Sequence, residues 1–373
     1  MDLINQITGY VLPFLIILSV VVFVHEYGHY WVARRNGIRV ETFSIGFGQE
    51  LFGFNDRHGT RWKFSWIPLG GYVKMLGDAD ATSATADAGT ASDPDSFPAK
   101  SVWQRMAVVF AGPAANFIFA IVVLALLFMM SGRPYTPAVV ADVRDGSPAA
   151  AAGLVTDDRI VAVDGAAIES FQDLQEYVRP SAEVPLNFTV ERGEGTFDVV
   201  VTPELQEIED RFGQFHRVGL IGITSNAIEF RTSSPGSAVF EAFAETGKMV
   251  TGTLRALGEM IVGSRSADEL GGPLRIAQMS GEIAQDGIVP VIWFTAVLSI
   301  NLGLINLFPI PMLDGGHLVL YTIEAARGRP LTERSQEIAF RVGLAMVLSL
   351  MVFATWNDLV HLDVIEFVTG LIS

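Results

Sequence analysis

Val20-Val21-Val22-Phe23-Val24-His25-Glu26-Tyr27-Gly28-His29-Tyr30-Trp31-Val32-Ala33 is an apolar run that carries two histidines and a glutamate within five positions. Upstream the run extends to about Ile7, longer than the ~20 residues that cross a hydrocarbon core. On a helix, positions four apart share a face. His25 and His29 can therefore reach one metal ion, and Glu26 stands beside it to take a proton from a bound water. Ionisable side chains at membrane depth cost about 2.5–3.5 kcal/mol each. A metal ion offsets that cost by neutralising Glu26 and engaging both imidazoles. The plainer reading is an inert, hydrogen-bonded His/Glu cluster at a helix end; the apolar setting tells against it.

Three further apolar stretches have membrane-spanning length: about Met106 to Met130, Ile288 to Phe308 and Arg341 to Trp356. Half of the 373 residues are hydrophobic and 18% are charged, against about 25% charged in soluble domains. There is no cysteine, so a metal must be held by His, Asp or Glu. The net charge of −16 argues against a nucleic-acid partner. The first residues carry no Lys or Arg, unlike a secretory signal, so the first apolar block is expected to be retained. Arg34, Arg35, Arg39, Lys100, Arg105, Arg327, Arg329, Arg334 and Arg341 cluster beside the spans on what a four-span arrangement makes one side. By the positive-inside rule that side is cytoplasmic. Both termini and the long region between the second and third spans are then expected outside.

A catalytic metal needs a third protein ligand. Asp314 is the candidate, in Asn306-Leu307-Phe308-Pro309-Ile310-Pro311-Met312-Leu313-Asp314-Gly315-Gly316-His317. Pro309 and Pro311 cannot continue a regular helix, and irregular backbone at membrane depth is tolerated where it lines a cavity. The alternative is that Asp314 caps the helix beginning near Gly315. His317 competes as a ligand, and Glu324 is a weaker competitor. Asn306 is a candidate to bond the substrate backbone or a developing oxyanion, against a plain helix–helix hydrogen bond. His58, His216 and His361 have no partners at ligand spacing and read as ordinary surface residues.

Glu41 to Leu76 reads as β structure, with Phe43-Ser44-Ile45-Gly46-Phe47-Gly48, a turn at Asn55 to Gly59, and the alternating Arg61-Trp62-Lys63-Phe64-Ser65-Trp66. Gly77 to Ala99 has the composition of a disordered linker. Residues from Thr136 to about Thr202 read as a soluble domain. Its strands are expected at Val139 to Val143, Arg159 to Gly165, Leu186 to Val190 and Thr196 to Val201, with a helix at Phe171 to Val178. Val239 to Ile261 has helical spacing and a polar face, suited to a membrane surface or to packing on the soluble domain.

Taken together, these segments resemble the site-2 protease family of intramembrane zinc metalloproteases, nearest its bacterial regulator-of-sigma-E branch. The resemblance rests on the HExxH helix, on Phe43 to Gly48, and on Ile67-Pro68-Leu69-Gly70-Gly71-Tyr72-Val73. Ala111-Gly112-Pro113-Ala114-Ala115-Asn116 and the Asn306 to His317 stretch complete it. The soluble domain resembles a PDZ domain through Ser147-Pro148-Ala149, Ala152-Gly153-Leu154 and Val163-Asp164-Gly165; one copy is present where a well-known branch carries two. The resemblance implies zinc held by His25, His29 and Asp314, with Glu26 as general base and acid. It implies that Gly46, Phe47 and Gly48 begin a membrane-associated hairpin that, with Asn306, receives an unwound substrate strand, in line with β-augmentation. The implied partners are the lipid bilayer and single-pass membrane proteins already trimmed outside, such as anti-sigma factors, with signal-peptide remnants as a further class. A bacterial inner membrane is the implied location, with the HExxH motif toward the cytoplasm and the PDZ-like domain periplasmic.

The expected fold is thus a polytopic α-helical membrane protein of about four transmembrane helices. It carries a cytoplasmic membrane-associated β-hairpin and one inserted PDZ-like α/β domain. In residue numbers, 1–35 is the first span, 36–76 the β region, 77–101 the linker and 102–131 the second span. The PDZ-like domain is 132–225, the amphipathic segment 226–286, the third span with its broken helix 287–326, and the fourth span with the C-terminus 327–373. A soluble HExxH protease would not carry these apolar blocks. A zinc transporter would not need Glu26 beside His25, and a PDZ scaffold would need no metal cluster.

Overall fold

A computed structural model of the chain describes residues 2–78, 93–209, 215–227, 229–264, 266 and 271–361. Most of the expected linker (79–92) and the chain ends at 1 and 362–373 lie outside the described residues. The chain divides into two compact units: Met1–Leu127 with Ser237–Gly258 and Ser266–Ser373, and Phe128–Gly236 with Glu259–Arg265.

The first unit is built on α1 (Asp2–Arg35), α2 (Val102–Met130), α5 (Pro235–Ile261), α6 (Pro273–Gln285), α7 (Ile288–Asn306), α8 (Asp314–Arg327) and α9 (Glu333–His361), with strands β1 (Val40–Asn55) and β2 (Arg61–Met75). Among the described residues, Thr8–Arg35, Val102–Met130, Ile288–Asn306 and Arg334–Val360 are long and apolar enough to cross a membrane. The expected fourth span at Arg341 is the middle of a longer helix, because Glu333 to Phe340 adds two turns ahead of it. α5 is a single helix over the expected amphipathic stretch, with Ala238 and Ala242 buried and Val239, Phe240 and Phe243 exposed.

Sequence reading treats 226–286 as one amphipathic segment, but it holds two helices, α5 and a separate α6. Its N-terminal N–H groups, which no intrahelical carbonyl can accept, are met from far along the chain. The buried Asp358 of α9 accepts from Gly272 N at 2.7 Å, Leu274 N at 2.9 Å and Arg275 N at 3.2 Å. A carboxylate at a helix N-terminus also faces the positive end of its dipole. α6 packs on α1 where Gly281 meets Tyr10. Ile17, Val21 and Phe294 form an apolar core between α1, α6 and α7.

The β region is more folded back than a simple hairpin. Phe43 pairs with Val73 on one side and with Trp62 on the other, and Phe54 also pairs with Trp62. The first half of β1 therefore lies between two runs of β2. Tyr30, Ile38, Val40, Phe43, Met75 and Val108 bury a common apolar core that ties this sheet to α1 and α2. The turn is pinned by Asp56, which accepts from Tyr30 Oη at 2.8 Å, Trp62 Nε1 at 3.1 Å, His58 N at 2.8 Å and Thr60 N at 3.0 Å. Partial burial alone would raise the Asp56 pKa, but these donors outweigh it and hold the carboxyl down at about 2.

The second unit opens with β3 (Arg133–Tyr135), β4 (Asp142–Val143) and the short α3 (Pro148–Ala151), and a sheet ordered β6 (Ala166–Ala167), β5 (Arg159–Val163), β7 (Leu186–Arg192), β8 (Gly195–Val201) carries the core. Val140, Ile160, Val163, Leu174, Phe188 and Val190 are among its buried residues. Helix α4 (Phe171–Val178) starts at Ser170 with a reciprocal cap to Asp173, which satisfies two otherwise unpaired donors. Asp158 is fully buried and is gripped by Arg192 Nε at 2.6 Å and Nη2 at 2.7 Å. Ile223 and Thr224 pair with Val143 and Asp142, and Glu229 to Arg231 pair with Tyr135 to Arg133, so this unit uses chain beyond the expected 132–225, up to Arg231.

Candidate metal centre

Three side chains from two distant segments converge. His25 Nε2 lies 3.1 Å and His29 Nε2 3.5 Å from Asp314 Oδ2, and the two Nε2 atoms are 3.2 Å apart. Helical spacing brings the two imidazoles to one face of α1, as their four-residue separation requires. Asp314 arrives from the break between α7 and α8. Pro309 and Pro311 stop α7, Met312 takes φ +88°, and Asp314 opens α8 at its first turn. Gly315 and Gly316 sit so close to the carbonyls of Leu307, Phe308 and Ile310 that a Cβ at either would collide with backbone. The tight turn needs glycine there, and it is this turn that aims Asp314 at α1.

The chemistry of the donor set fits a metal ion. His29 Nδ1 is 2.8 Å from the Val108 carbonyl, which can only accept, so Nδ1 carries the ring proton and Nε2 keeps its lone pair. Asp314 Oδ2 is buried and accepts no hydrogen bond. The lone pairs of His29 Nε2 and Asp314 Oδ2, joined by that of His25 Nε2 when the His25 ring proton is on Nδ1, therefore point into one small space, the three atoms all within 4.8 Å of one another. Converging acceptors without a donor repel unless a cation lies between them. Two nitrogens and one oxygen are the ligand set of a catalytic zinc that keeps an open position.

Helix α2 lies directly behind the imidazoles. Val108, Gly112 and Asn116 recur every fourth residue and so line one face. A Cβ at Gly112 would overlap the His29 ring, and one at Gly28 would overlap the Ala111 carbonyl; these two glycines allow the close crossing. Asn116, buried, places its amide 3.2 Å from His25 Nδ1. Asn306, at the end of α7, places its amide 3.4 Å from His25 Nε2.

Glu26 is on the same turn and accepts a hydrogen bond from the Val73 backbone N–H. A Cβ at Gly71 would sit 3.2 Å from Glu26 Cγ. The last run of β2 thus borders the acidic side chain, a relation that sequence spacing does not reveal. Gly46 and Gly48 each take φ +87° and bend β1 where its two halves part. Phe47 between them stacks on Tyr72 with ring centroids 6.1 Å apart. A cavity of about 400 Å³ lined by Gly48, Gln49, Trp66 and Ile67 opens beside this bend.

The competing ligands do not join the cluster. His317 faces Phe340, with ring centroids 5.2 Å apart, and Tyr321 at 6.2 Å. Glu324 is paired with Arg105 Nη2 at 2.5 Å. Val108, Asn116 and Val73 are neighbours of the cluster to which sequence reading assigns no role, although Asn116 and Val73 lie in segments that carry the family resemblance. The only signal was a polar asparagine inside an apolar span.

A family model described as peptidase family M50 matches residues 13–350. The chain belongs to peptidase family M50. A relative in Agrobacterium fabrum named "putative zinc metalloprotease" is 49% identical over 362 residues, covering 95% of this chain and 96% of its own. Metalloprotease MmpA of Caulobacter vibrioides is 40% identical over 391 residues, covering 96% of this chain and 97% of its own. Among solved structures, the PDZ domain of the SdrC-like protein of Listeria innocua matches at 21% identity with a TM-score of 0.20, covering 26% of this chain and 99% of that one. As a member of M50 this protein is a zinc metalloendopeptidase, and the four long apolar helices among its described residues make it a membrane protein.

Proposed function

We propose that this M50 peptidase cuts within the transmembrane segments of single-pass membrane proteins that have already lost their external domains. Anti-sigma factors are the main substrate class, with signal-peptide remnants as a second. One observation carries the reading: the His25, His29 and Asp314 cluster is built on helices of membrane-spanning length and on the break that follows one of them. Peptide bonds in a spanning helix are already paired, so a substrate must unwind before attack. The bent β1 at Gly46, Phe47 and Gly48 offers strand backbone for an unwound segment to pair with, and the last run of β2 leads to Glu26.

His25, His29 and Asp314 are the residues that hold zinc in this reading. Zinc bound there supplies Lewis acidity and lowers the pKa of a water toward neutrality. Glu26 takes the proton from the attacking water and returns it to the leaving amide nitrogen. The Val73 N–H keeps its carboxylate oriented for both transfers. Asn306, beside His25, donates from its amide to the oxygen that gains charge on the scissile carbonyl.

The PDZ-like unit holds none of these residues and acts on substrate access, by excluding bulky external domains. The test compares two forms of one single-pass substrate, intact and trimmed, in liposomes. The intact protein should cut the trimmed form alone, and deleting Val139 to Thr202 behind a flexible linker should release cutting of the intact form. A folded, zinc-loaded deletion variant unable to cut the trimmed form would show that the unit delivers substrate instead.

The membrane is a bacterial inner membrane in this proposal, with both termini and the PDZ-like unit periplasmic and the HExxH end of α1 cytoplasmic. The basic cluster at Arg34 and Arg35, in the last turn of α1, supports that orientation. The chain has no cysteine, so single cysteines report cleanly. In intact spheroplasts a cysteine at Glu204 should react with an impermeant maleimide and one at Gly77 should not. The reverse pattern would invert the orientation.

A further inference from the structure

The two imidazoles of the metal centre are not held alike. His29 has a fixed tautomer because the Val108 carbonyl takes its Nδ1–H. His25 turns the same atom to a side-chain amide, Asn116, at 3.2 Å. A carboxamide presents nitrogen or oxygen by a half-turn that leaves its shape unchanged. With Nδ2 toward the ring, His25 Nδ1 must accept and the ring proton sits on Nε2. That proton would occupy the space shared by His29 Nε2 at 3.2 Å and Asp314 Oδ2 at 3.1 Å, and His25 could not bind a metal through Nε2. With Oδ1 toward the ring, Nδ1–H donates and Nε2 is free. As placed, Asn116 Nδ2 is the atom 3.2 Å from His25 Nδ1, and Asn116 Oδ1 is buried with no hydrogen-bond partner among the described residues; turning the amide over gives that oxygen the His25 Nδ1–H as its donor.

We infer that Asn116 is a positioning residue of the metal centre, its side-chain oxygen accepting the His25 Nδ1–H and so presenting Nε2 to zinc. The side chain is well placed for this. Asn116 is fully buried, its backbone carbonyl accepts from Ser299 Oγ at 3.0 Å, and Gly303 of α7 packs against it. Helix α2 thereby supplies both acceptors, Val108 and Asn116, two turns apart on one face. Metal-ligating histidines in general donate their second ring N–H to such an acceptor, which orients the ring and raises its basicity.

The inference rests on the zinc reading of the site, and its test separates the two. Zinc affinity is measured by chelator competition on the purified full-length protein in detergent, for wild type, Asn116→Leu and Asn116→Asp. Leu keeps the volume and removes the acceptor; Asp keeps an acceptor and removes the donor. Asn116→Leu should bind zinc about 10–100-fold more weakly, and Asn116→Asp should stay close to wild type. The cobalt(II) visible spectrum should be perturbed in Asn116→Leu alone. Equal affinity in wild type and Asn116→Leu, or an Asn116→Asp as weak as Asn116→Leu, overturns the inference. A wild-type protein without zinc takes down the zinc reading, and this inference with it. The wild type also gives an answer that needs no folded variant. In zinc-loaded, ¹⁵N-histidine-labelled protein, His25 should show a protonated Nδ1. An unprotonated Nδ1 overturns the inference directly.

Discussion

Replacing Glu26 with Gln is expected to lower cleavage of a membrane substrate by about 10²–10⁴-fold, the usual contribution of general acid–base catalysis, while leaving bound zinc unchanged. Gln has nearly the same shape and still reaches the Val73 backbone, but it cannot accept the proton of the attacking water. Glu26 is also not one of the three converging ligand atoms, so metal content should be insensitive to it. Kinetics on one trimmed single-pass substrate and metal analysis of the same preparation check both halves. A loss under about tenfold, or zinc lost together with activity, removes Glu26 from the proton-transfer role.

Replacing Asp314 with Ala should abolish both zinc and activity, whereas His317→Ala should keep zinc. Asp314 Oδ2 lies within 3.5 Å of both ligand nitrogens. Without it two imidazoles remain, and a site of two nitrogens lacks both the third ligand and the charge that offsets the cation. His317 is three residues further along α8 and packs its ring on Phe340 and Tyr321. Its removal costs packing. Metal analysis of purified His317→Ala and Asp314→Ala decides between them, and the opposite pattern would transfer the ligand role to His317.

The parts of the site visible in the sequence are those governed by local rules. A four-residue spacing places His25 and His29 on one helical face wherever α1 packs. Two prolines and a Gly-Gly pair announce the break that carries Asp314. The parts that stayed hidden depend on how distant elements register. Val108 and Asn116 meet the imidazoles because Gly112 and Gly28 let α2 and α1 approach, and nothing local to α2 states which face does so. Val73 reaches Glu26 only because the first half of β1 pairs on both sides, which brings the end of β2 back to α1. Asp358 caps α6 across 86 residues. Its acidic side chain near the end of an apolar helix gave no hint of which helix start it would meet. Hydropathy alone starts the fourth span at Arg341, because Glu333 to Phe340 is polar enough to hide the first two turns of α9.

The most direct measurement of the central claim is the position of the cut. A trimmed single-pass substrate is incubated in liposomes with the zinc-loaded protein, and both products are sequenced by mass spectrometry, with Glu26→Gln as control. The account predicts one scissile bond inside the apolar segment of the substrate, absent with Glu26→Gln and with chelated enzyme. A cut confined to the water-exposed flanks, or one that persists in Glu26→Gln, would contradict it.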